Sequence, residues 1–464
     1  MTLDDHVAAL QPQLISSLRE ALRLRSTPGT PLPGKPFGEG VDEALRHALK
    51  TAQDLGFRTA NVDSMVGYAE YGEGEEMVAV LGHLDVVPEG TGWSHDPYGA
   101  EIVDGVLYGR GTLDDKGPTY AALFALAAIR DGGIPLRRRI RVIFGTNEES
   151  GCACMAHYVQ SGQELPVMGF TPDGAFPIIN AEKGSVKLRL FSPGAPGGPE
   201  NLTALTAAPA ANMVPETAEG TIEGPPERLL PLRRALESFA ADREWPLVLE
   251  EGEGKLTVRP RGKAAHASLP ELGINAAVRL LRLLGALPTE APWRRAAAAL
   301  GALVNEKSDG AALGIACRDD LSGPLTLNLG LLEVTADGGL AATLDIRYPV
   351  RQAWEGLFPE VQARVRDLGL SLEVLRHSPP LFVDPSSELI QALQRAYTAT
   401  TGQEAFLLAI GGGTYARTMP HVVAFGATFP GDPELMHQPD ERIPLERLAL
   451  ITRILAAAMK ELAQ

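Results

Sequence analysis

The sequence predicts an α/β fold: a parallel-dominated sheet flanked by helices, interrupted by an inserted α+β domain. Three observations carry this expectation. Short apolar runs without polar alternation (Met77 to Leu81, Ile140 to Thr146, Pro166 to Phe170, His421 to Ala427) read as strands buried on both faces. Between them lie stretches with apolar residues at helical spacing, the rhythm of β-α-β units. From Val186 the pattern changes to alternating strands beside amphipathic helices, and after about Leu381 the first pattern returns. The main domain is therefore placed at residues 1–185 and 383–464, and the insertion at 186–382.

In chain order, Val7 to Leu24 and Val41 to Leu55 are expected as helices separated by a Pro/Gly loop, STPGTPLPGKPFGEG. The run from Met77 ends in Gly82, with His83 and Asp85 just beyond it. A Gly-rich stretch, expected as loops and a hairpin, leads to Asp114, Asp115 and Lys116, which open a strongly apolar helix ending near Gly132 and Gly133. Asn147, Glu148 and Glu149 follow the second strand, and Asp173 follows the third. In the insertion, VKLRLFS, LTVRPRG and LAATLDIRYP read as strands, SPGAPGGPE as loop, and 275–287 and 354–368 as helices. A helix from about Ser386 to Thr401, a loop carrying MHQPDE and a helix from about Leu445 complete the chain.

The chain of 464 residues, 45% hydrophobic and 22% charged, is long enough for two or three domains with ample core. With 42 Lys+Arg against 58 Asp+Glu, its net charge of −16 repels phosphate backbones, and no nucleic-acid partner is expected. Three cysteines, Cys152, Cys154 and Cys317, make no disulfide framework and suit a reducing compartment. MTLDDHVAAL has no basic-then-apolar signal segment, and no apolar run is long enough to span a bilayer. A cytoplasmic protein without a membrane partner is expected.

In open parallel sheets, reactive groups collect beyond the carboxyl ends of strands. There the pattern presents His83, Asp114, Glu148, Glu149, Asp173 and His437. Mixed imidazole and carboxylate donors suit zinc, or manganese and cobalt at similar sites. A pair of divalent ions ~3.5–4 Å apart needs a bridging carboxylate, terminal ligands on each ion, and a further acid that takes a proton without being a ligand. Adjacent Glu148 and Glu149 could divide these duties. Any acid pair taken alone reads better as a solvated loop, and only the joint placement argues for a dinuclear hydrolase.

GHLDVVP, GRGTLDDKGP, TNEESG, TPDGAFP, GKAAHAS and MHQPDE, in this order, resemble the dizinc amidohydrolase and peptidase family that includes aminoacylase, glutamate carboxypeptidase, succinyl-diaminopimelate desuccinylase and carnosinase. The resemblance spans essentially the whole chain. DDKGP, IGGGTYAR and the long middle domain look most like bacterial dipeptidases of the peptidase V type. The resemblance implies a zinc-exopeptidase-like catalytic domain with an inserted lid, two Zn2+ per chain (Mn2+ or Co2+ as alternatives), a small peptide substrate and a monomer. It implies that His83 and Asp173 hold one ion, Glu149 and His437 the other, and that Asp114 bridges them, with a cis peptide after Asp114. Asp85 would orient His83, Glu148 would be the general base, and His266 from the lid would polarise the scissile carbonyl. Asn212 and Arg347 match substrate-contacting positions, Arg347 suiting a carboxylate, and Gly411, Gly412 and Gly413 would let backbone approach substrate.

Plainer readings stand beside these: His266 as a loop histidine, Arg347 in a surface ion pair, Asn212 capping a turn. The expected activity is metal-dependent hydrolysis of dipeptides. Its rivals are an N-acyl-amino-acid deacylase with the same metals, an exopeptidase acting on longer peptides, and a non-catalytic binding relative.

Overall fold

The computed structural model describes residues 1–194, 198 and 200–464, so residues 195–197 and 199 of the expected Pro/Gly loop lie outside the described set. The chain forms two compact units. The first comprises Met1–Ala181, Phe382–Ala409 and Gly413–Gln464, the second Glu182–Leu381 and Ile410–Gly412.

The first unit is built on a mixed sheet. Its strands run in the order Arg58–Val62, Val66–Tyr71, Arg139–Gly145, Met77–His83, Met168–Thr171, Val422–Ala424, Ile178–Glu182 and Leu381–Phe382, with Leu407–Ile410 also paired to Ile178–Glu182. The four strands from Arg139–Gly145 to Val422–Ala424 are mutually parallel. Antiparallel strands flank this centre on both sides, so parallel pairing dominates only the middle. Every residue of Met77–His83 is buried, as the unbroken apolar run requires. The strand does not stop at Gly82: His83 is its last residue.

Helix Lys116–Asp131 is buried from Lys116 to Ile129, which explains why its sequence is apolar all round. It packs on the Met77–His83 strand and between helices Leu3–Leu22 and Leu445–Ala463. At its start the buried Lys116 ammonium donates to the carbonyls of Ala21 (2.9 Å) and Leu24 (2.7 Å), capping the end of helix Leu3–Leu22. Among the described residues, no helix is long and apolar enough to cross a membrane.

The second unit has its own core. One antiparallel sheet orders Thr326–Val334, Leu340–Tyr348, Gly184–Phe191 and Ser371–Ser378; another orders Asn201–Thr206, Glu219–Glu223, Lys255–Pro260 and Leu247–Gly252. Strand Gly184–Phe191 alternates buried and half-buried residues, the pattern read from VKLRLFS. Helices Ala276–Gly285 and Trp354–Asp367 fall where helical spacing places them, and Pro226–Ala241 and Pro292–Ala302 are additional.

Candidate metal centre

Parallel pairing puts His83 opposite Gly145 and Val80 opposite Phe170, so three strand ends open side by side. His83 ends one of them, Glu148 and Glu149 follow the second, and Asp173 follows the third. Gly82 brings a fourth group close. A Cβ at Gly82 would overlap the Thr119 hydroxyl, so the strand lies directly on the first turn of the Lys116–Asp131 helix. Asp114 and Asp115, joined by a cis peptide, are thereby set beside His83.

His83 Nε2 lies 3.0 Å from Asp114 Oδ1 and 3.8 Å from Asp173 Oδ2. His437 Nε2 lies 2.8 Å from Asp114 Oδ2 and 3.1 Å from Glu149 Oε1. The two imidazoles thus sit on opposite oxygens of one carboxylate. Ligand atoms of His83, Asp114 and Glu149 fall within 4.8 Å of one another, as do those of His83, Glu148 and Asp173. Around a tetrahedral zinc with ligands at about 2.0–2.1 Å, neighbouring donors are about 3.3–3.4 Å apart. Separations of 2.8–3.8 Å therefore fit such an ion.

Asp85 works differently from the simple expectation. His83 Nδ1 donates to the main-chain carbonyl of Asp85 at 2.9 Å, while the carboxylate lies 3.5 Å away. A carbonyl only accepts, so Nδ1 carries the proton in neutral His83, and the Nε2 lone pair is directed at Asp114. The buried Asp85 carboxylate accepts the N–H groups of Glu148 (3.0 Å) and Glu149 (3.1 Å). It sets the turn that carries both glutamates. Glu149 then meets His437, while the Glu148 carboxylate lies 4.0 Å from Cys152 Sγ. The other cysteine of the pair, Cys154, is buried with its thiol 3.0 Å from the Tyr415 hydroxyl.

The electrostatics show what the cluster lacks. Burial, with Asp173 nearby, raises Glu148 well above the ordinary glutamate range. Burial and Asp114 push Asp173 up to about 7 and also raise Glu149. Burial alone would lower the imidazoles, but hydrogen bonds to Asp114 and Asp85 carry His83 well above its usual value. Bonds to Asp114 and Glu149 likewise carry His437 to about 11. Asp114 moves the other way, since the two imidazoles outweigh its burial. Carboxylates that retain protons beside imidazoles that will not release them form a site short of positive charge, and divalent cations supply it. The donor set fits.

The profile of Peptidase family M20/M25/M40 matches residues 79–461. The chain belongs to this family. It is accordingly a peptidase, and the family's chemistry uses divalent metal. A Bacillus subtilis protein named "Putative dipeptidase YtjP" is 38% identical over 474 residues, 100% of both chains. A Staphylococcus haemolyticus protein, also named a "Putative dipeptidase", is 32% identical over 99% of this chain and 98% of its own. The crystal structure of human carnosine dipeptidase 1 superposes with a TM-score of 0.61 at 19% identity, covering 100% of this chain and 98% of that one, which establishes a shared fold.

The remaining candidates of this M20-family chain lie in the second unit, apart from Gly413. Met213 pairs with His266, and the Asn212 carbonyl accepts the Ala267 N–H at 2.9 Å, so the Asn212 and His266 segments are neighbours. Buried Asn328 pins that segment by donating to the carbonyls of Ala211 (2.9 Å) and Met213 (2.7 Å). His266 is exposed, and its Nδ1 accepts from the Ser268 hydroxyl (2.6 Å) and the Ser268 backbone N–H (3.2 Å). Since a backbone N–H can only donate, Nδ1 is the acceptor and Nε2 carries the proton.

Arg347 makes no surface pair. Its Nε and Nη2 grip the fully buried Asp345 at 2.5 and 2.9 Å, and Nη1 lies 3.3 Å from the Gly411 carbonyl. Gly411 has a reason of its own, since a Cβ there would come 2.7 Å from Ser268 Cβ. A Cβ at Gly413 would crowd the Arg417 guanidinium at 2.8 Å, whereas at Gly412 the closest atom is 3.7 Å away. The sequence assigns no role to Asp345 in DIRYP or to Glu441 in MHQPDE; lying inside those motifs is the signal it offers.

Proposed function

We propose that this protein hydrolyses the peptide bond of dipeptides bearing a free carboxylate, at a centre of two divalent cations. His83 and Asp173 would hold one cation, Glu149 and His437 the other, and Asp114 both. The observation that carries the reading is the placement of two imidazoles on the two oxygens of Asp114, at 3.0 and 2.8 Å. Zinc is the metal proposed, with manganese or cobalt as alternatives on the same donors. Relatives named as dipeptidases that align over essentially their whole length support the substrate class.

When bound, such cations supply Lewis acidity for a carbonyl and lower the pKa of water. The chain's residues do the rest. Glu148, held on the turn that Asp85 fixes, takes the proton of the attacking water and returns it to the leaving amine. His266, with its proton on Nε2, donates to the carbonyl oxygen as charge develops there. Asp345 occupies the Nε–Nη2 edge of Arg347 and the Gly411 carbonyl takes one N–H of Nη1, so the remaining N–H groups of Nη1 and Nη2 would meet a substrate carboxylate. In this reading the first unit is catalytic and the second a lid, Asn212 and the glycines 411–413 border substrate, and the protein is a cytoplasmic monomer.

Metal analysis combined with a substrate panel tests the proposal. The expected result is two divalent ions per chain and hydrolysis of free dipeptides. Turnover confined to N-acetyl or N-succinyl amino acids would replace it with the deacylase, and preference for longer peptides with an exopeptidase.

A further inference from the structure

Glu441 is a buried carboxylate to which the proposed chemistry assigns nothing. It is 0% exposed, and its Oε1 accepts the backbone N–H groups of Gly111 (3.1 Å), Leu113 (2.8 Å) and Asp114 (3.2 Å). The Thr112 hydroxyl lies 3.5 Å from the same oxygen. Its Oε2 takes Arg110 Nη1 at 2.6 Å, and that guanidinium lies 5.3 Å from the centre of the Trp93 ring. Even its own carbonyl accepts from this loop, from the Gly109 N–H at 2.9 Å. Successive backbone N–H groups converging on one point form an anion-binding concavity. Here the anion belongs to the chain itself.

Its position in the sequence gives the arrangement a purpose. Glu441 lies four residues beyond His437, which holds the left-handed φ of +64° that few non-glycine residues adopt. Asp440, between them, accepts from the Ser94 N–H (2.8 Å) and hydroxyl (2.7 Å). One loop thus carries an imidazole to Asp114, while the carboxylate at its end holds the backbone on which Asp114 stands.

We infer that Glu441 is a positioning residue of the metal centre: by holding the backbone of residues 111–114 it fixes the shared carboxylate of Asp114 against His437. The inference rests on the proposed reading of Asp114 and His437 as ligands. The competing account makes Glu441 only the buried partner of Arg110. The structure separates the two, because the N–H groups are on Oε1 and the guanidinium on Oε2.

The test is a Co2+ titration of the full-length chain, read by visible absorption and by competition with a chelator, alongside melting of the metal-free protein. Glu441→Ala removes both functions and is expected to weaken Co2+ binding about 10–100-fold, the usual loss when an outer partner of a ligand is removed. It should also alter the Co2+ spectrum. Glu441→Gln keeps an oxygen for the three N–H groups and loses the charge for Arg110. It is expected to melt lower and yet bind Co2+ near the wild-type affinity. Should Glu441→Ala not fold, Arg110→Met/Glu441→Gln and Arg110→Met/Glu441→Met share the lost charge pair and differ in the acceptor. The first is expected to bind Co2+ about 10–100-fold more tightly than the second.

Unchanged affinity and spectrum in folded Glu441→Ala, or equal affinity in the two double variants, overturns the inference and leaves the proposed function standing. A wild-type chain that binds no Co2+, Mn2+ or Zn2+ in the same titration overturns the proposed function itself.

Discussion

In the first unit, His83, Asp85, Asp114 and Asp173 are 0–8% exposed, and apart from the bond from His83 to the Asp85 carbonyl the contacts that place them join segments distant in sequence. Asp85 holds residues more than 60 positions away, and Asp114 meets a histidine more than 300 positions on. In the second unit, His266 is exposed and oriented by Ser268, and Arg347 by Asp345, each only two residues off. The difference follows from the tasks proposed for them. Several like charges can be crowded together only inside a cradle fixed from many directions, because the crowding itself is unfavourable. A group that meets substrate needs the right tautomer or the right free edge, and a neighbour on its own strand or turn suffices for that.

If this division is right, lesions in the first unit should alter metal binding and turnover together, and lesions in the second should leave metal content intact. The largest effects belong to the centre. Chelation should abolish activity, and Glu148→Gln should lower kcat about 10²–10⁴-fold with the metal retained. Full turnover by Glu148→Gln would remove Glu148 from the role of base. In the second unit, His266→Ala should lower kcat about 10²–10³-fold without loss of metal, the scale of a lost oxyanion donor. A drop in metal content in His266→Ala would break the comparison.

Arg347→Ala should act on a third quantity. Loss of a charge-assisted bond, about 1.5–3 kcal/mol, corresponds to about 10–150-fold in kcat/KM, carried mainly by KM for free-carboxylate substrates. Amidated peptides are the control, and equal losses on them would assign Arg347 to structure. Asp345→Asn sharpens the point: one acceptor for the Nε–Nη2 edge survives, so its effect on KM should be smaller than that of Arg347→Ala.

The same contrast governs what could be read from the sequence. Strands that are buried on both faces appear as unbroken apolar runs, and the polar residue ending each run marks the mouth of the sheet. His83, Glu148, Glu149 and Asp173 were legible for that reason. The flanking strands Arg58–Val62 and Val66–Tyr71 were not, since RTANV is half polar and mostly exposed or half-buried. Glu441 was visible as a letter in MHQPDE, but its partners are backbone N–H groups, which no side-chain pattern records. The same holds for Asp85, whose carboxylate reaches the glutamate turn while its carbonyl orients His83. Gly82 looked like the end of a strand, whereas it is the place where a helix comes close.

The smallest effect expected is on stability against pH, and it tests whether the centre is short of positive charge. In the metal-free protein, Asp173 titrates near 7, above its ordinary 3.8, so the stability it contributes is complete below 3.8 and is lost as pH rises through 7. His437, raised from 6.5 to about 11 by Asp114 and Glu149, contributes in the same direction, fully below 6.5 and less as pH climbs toward 11, but its half-exposed ring is screened by solvent and its share is the smaller. Asp173 supplies the falling slope up to about pH 7 and His437 continues it above 6.5, so the Tm of the chelated protein should fall from about pH 5.5 to 8.5, on the order of a few degrees. Metal binding needs deprotonated ligands and grows stronger over the same span. The gap in Tm between metal-loaded and chelated protein should therefore widen with pH. A gap that narrows would mean that the carboxylates around Asp114 are not waiting for a cation, and the contrast between the two units would lose its physical basis.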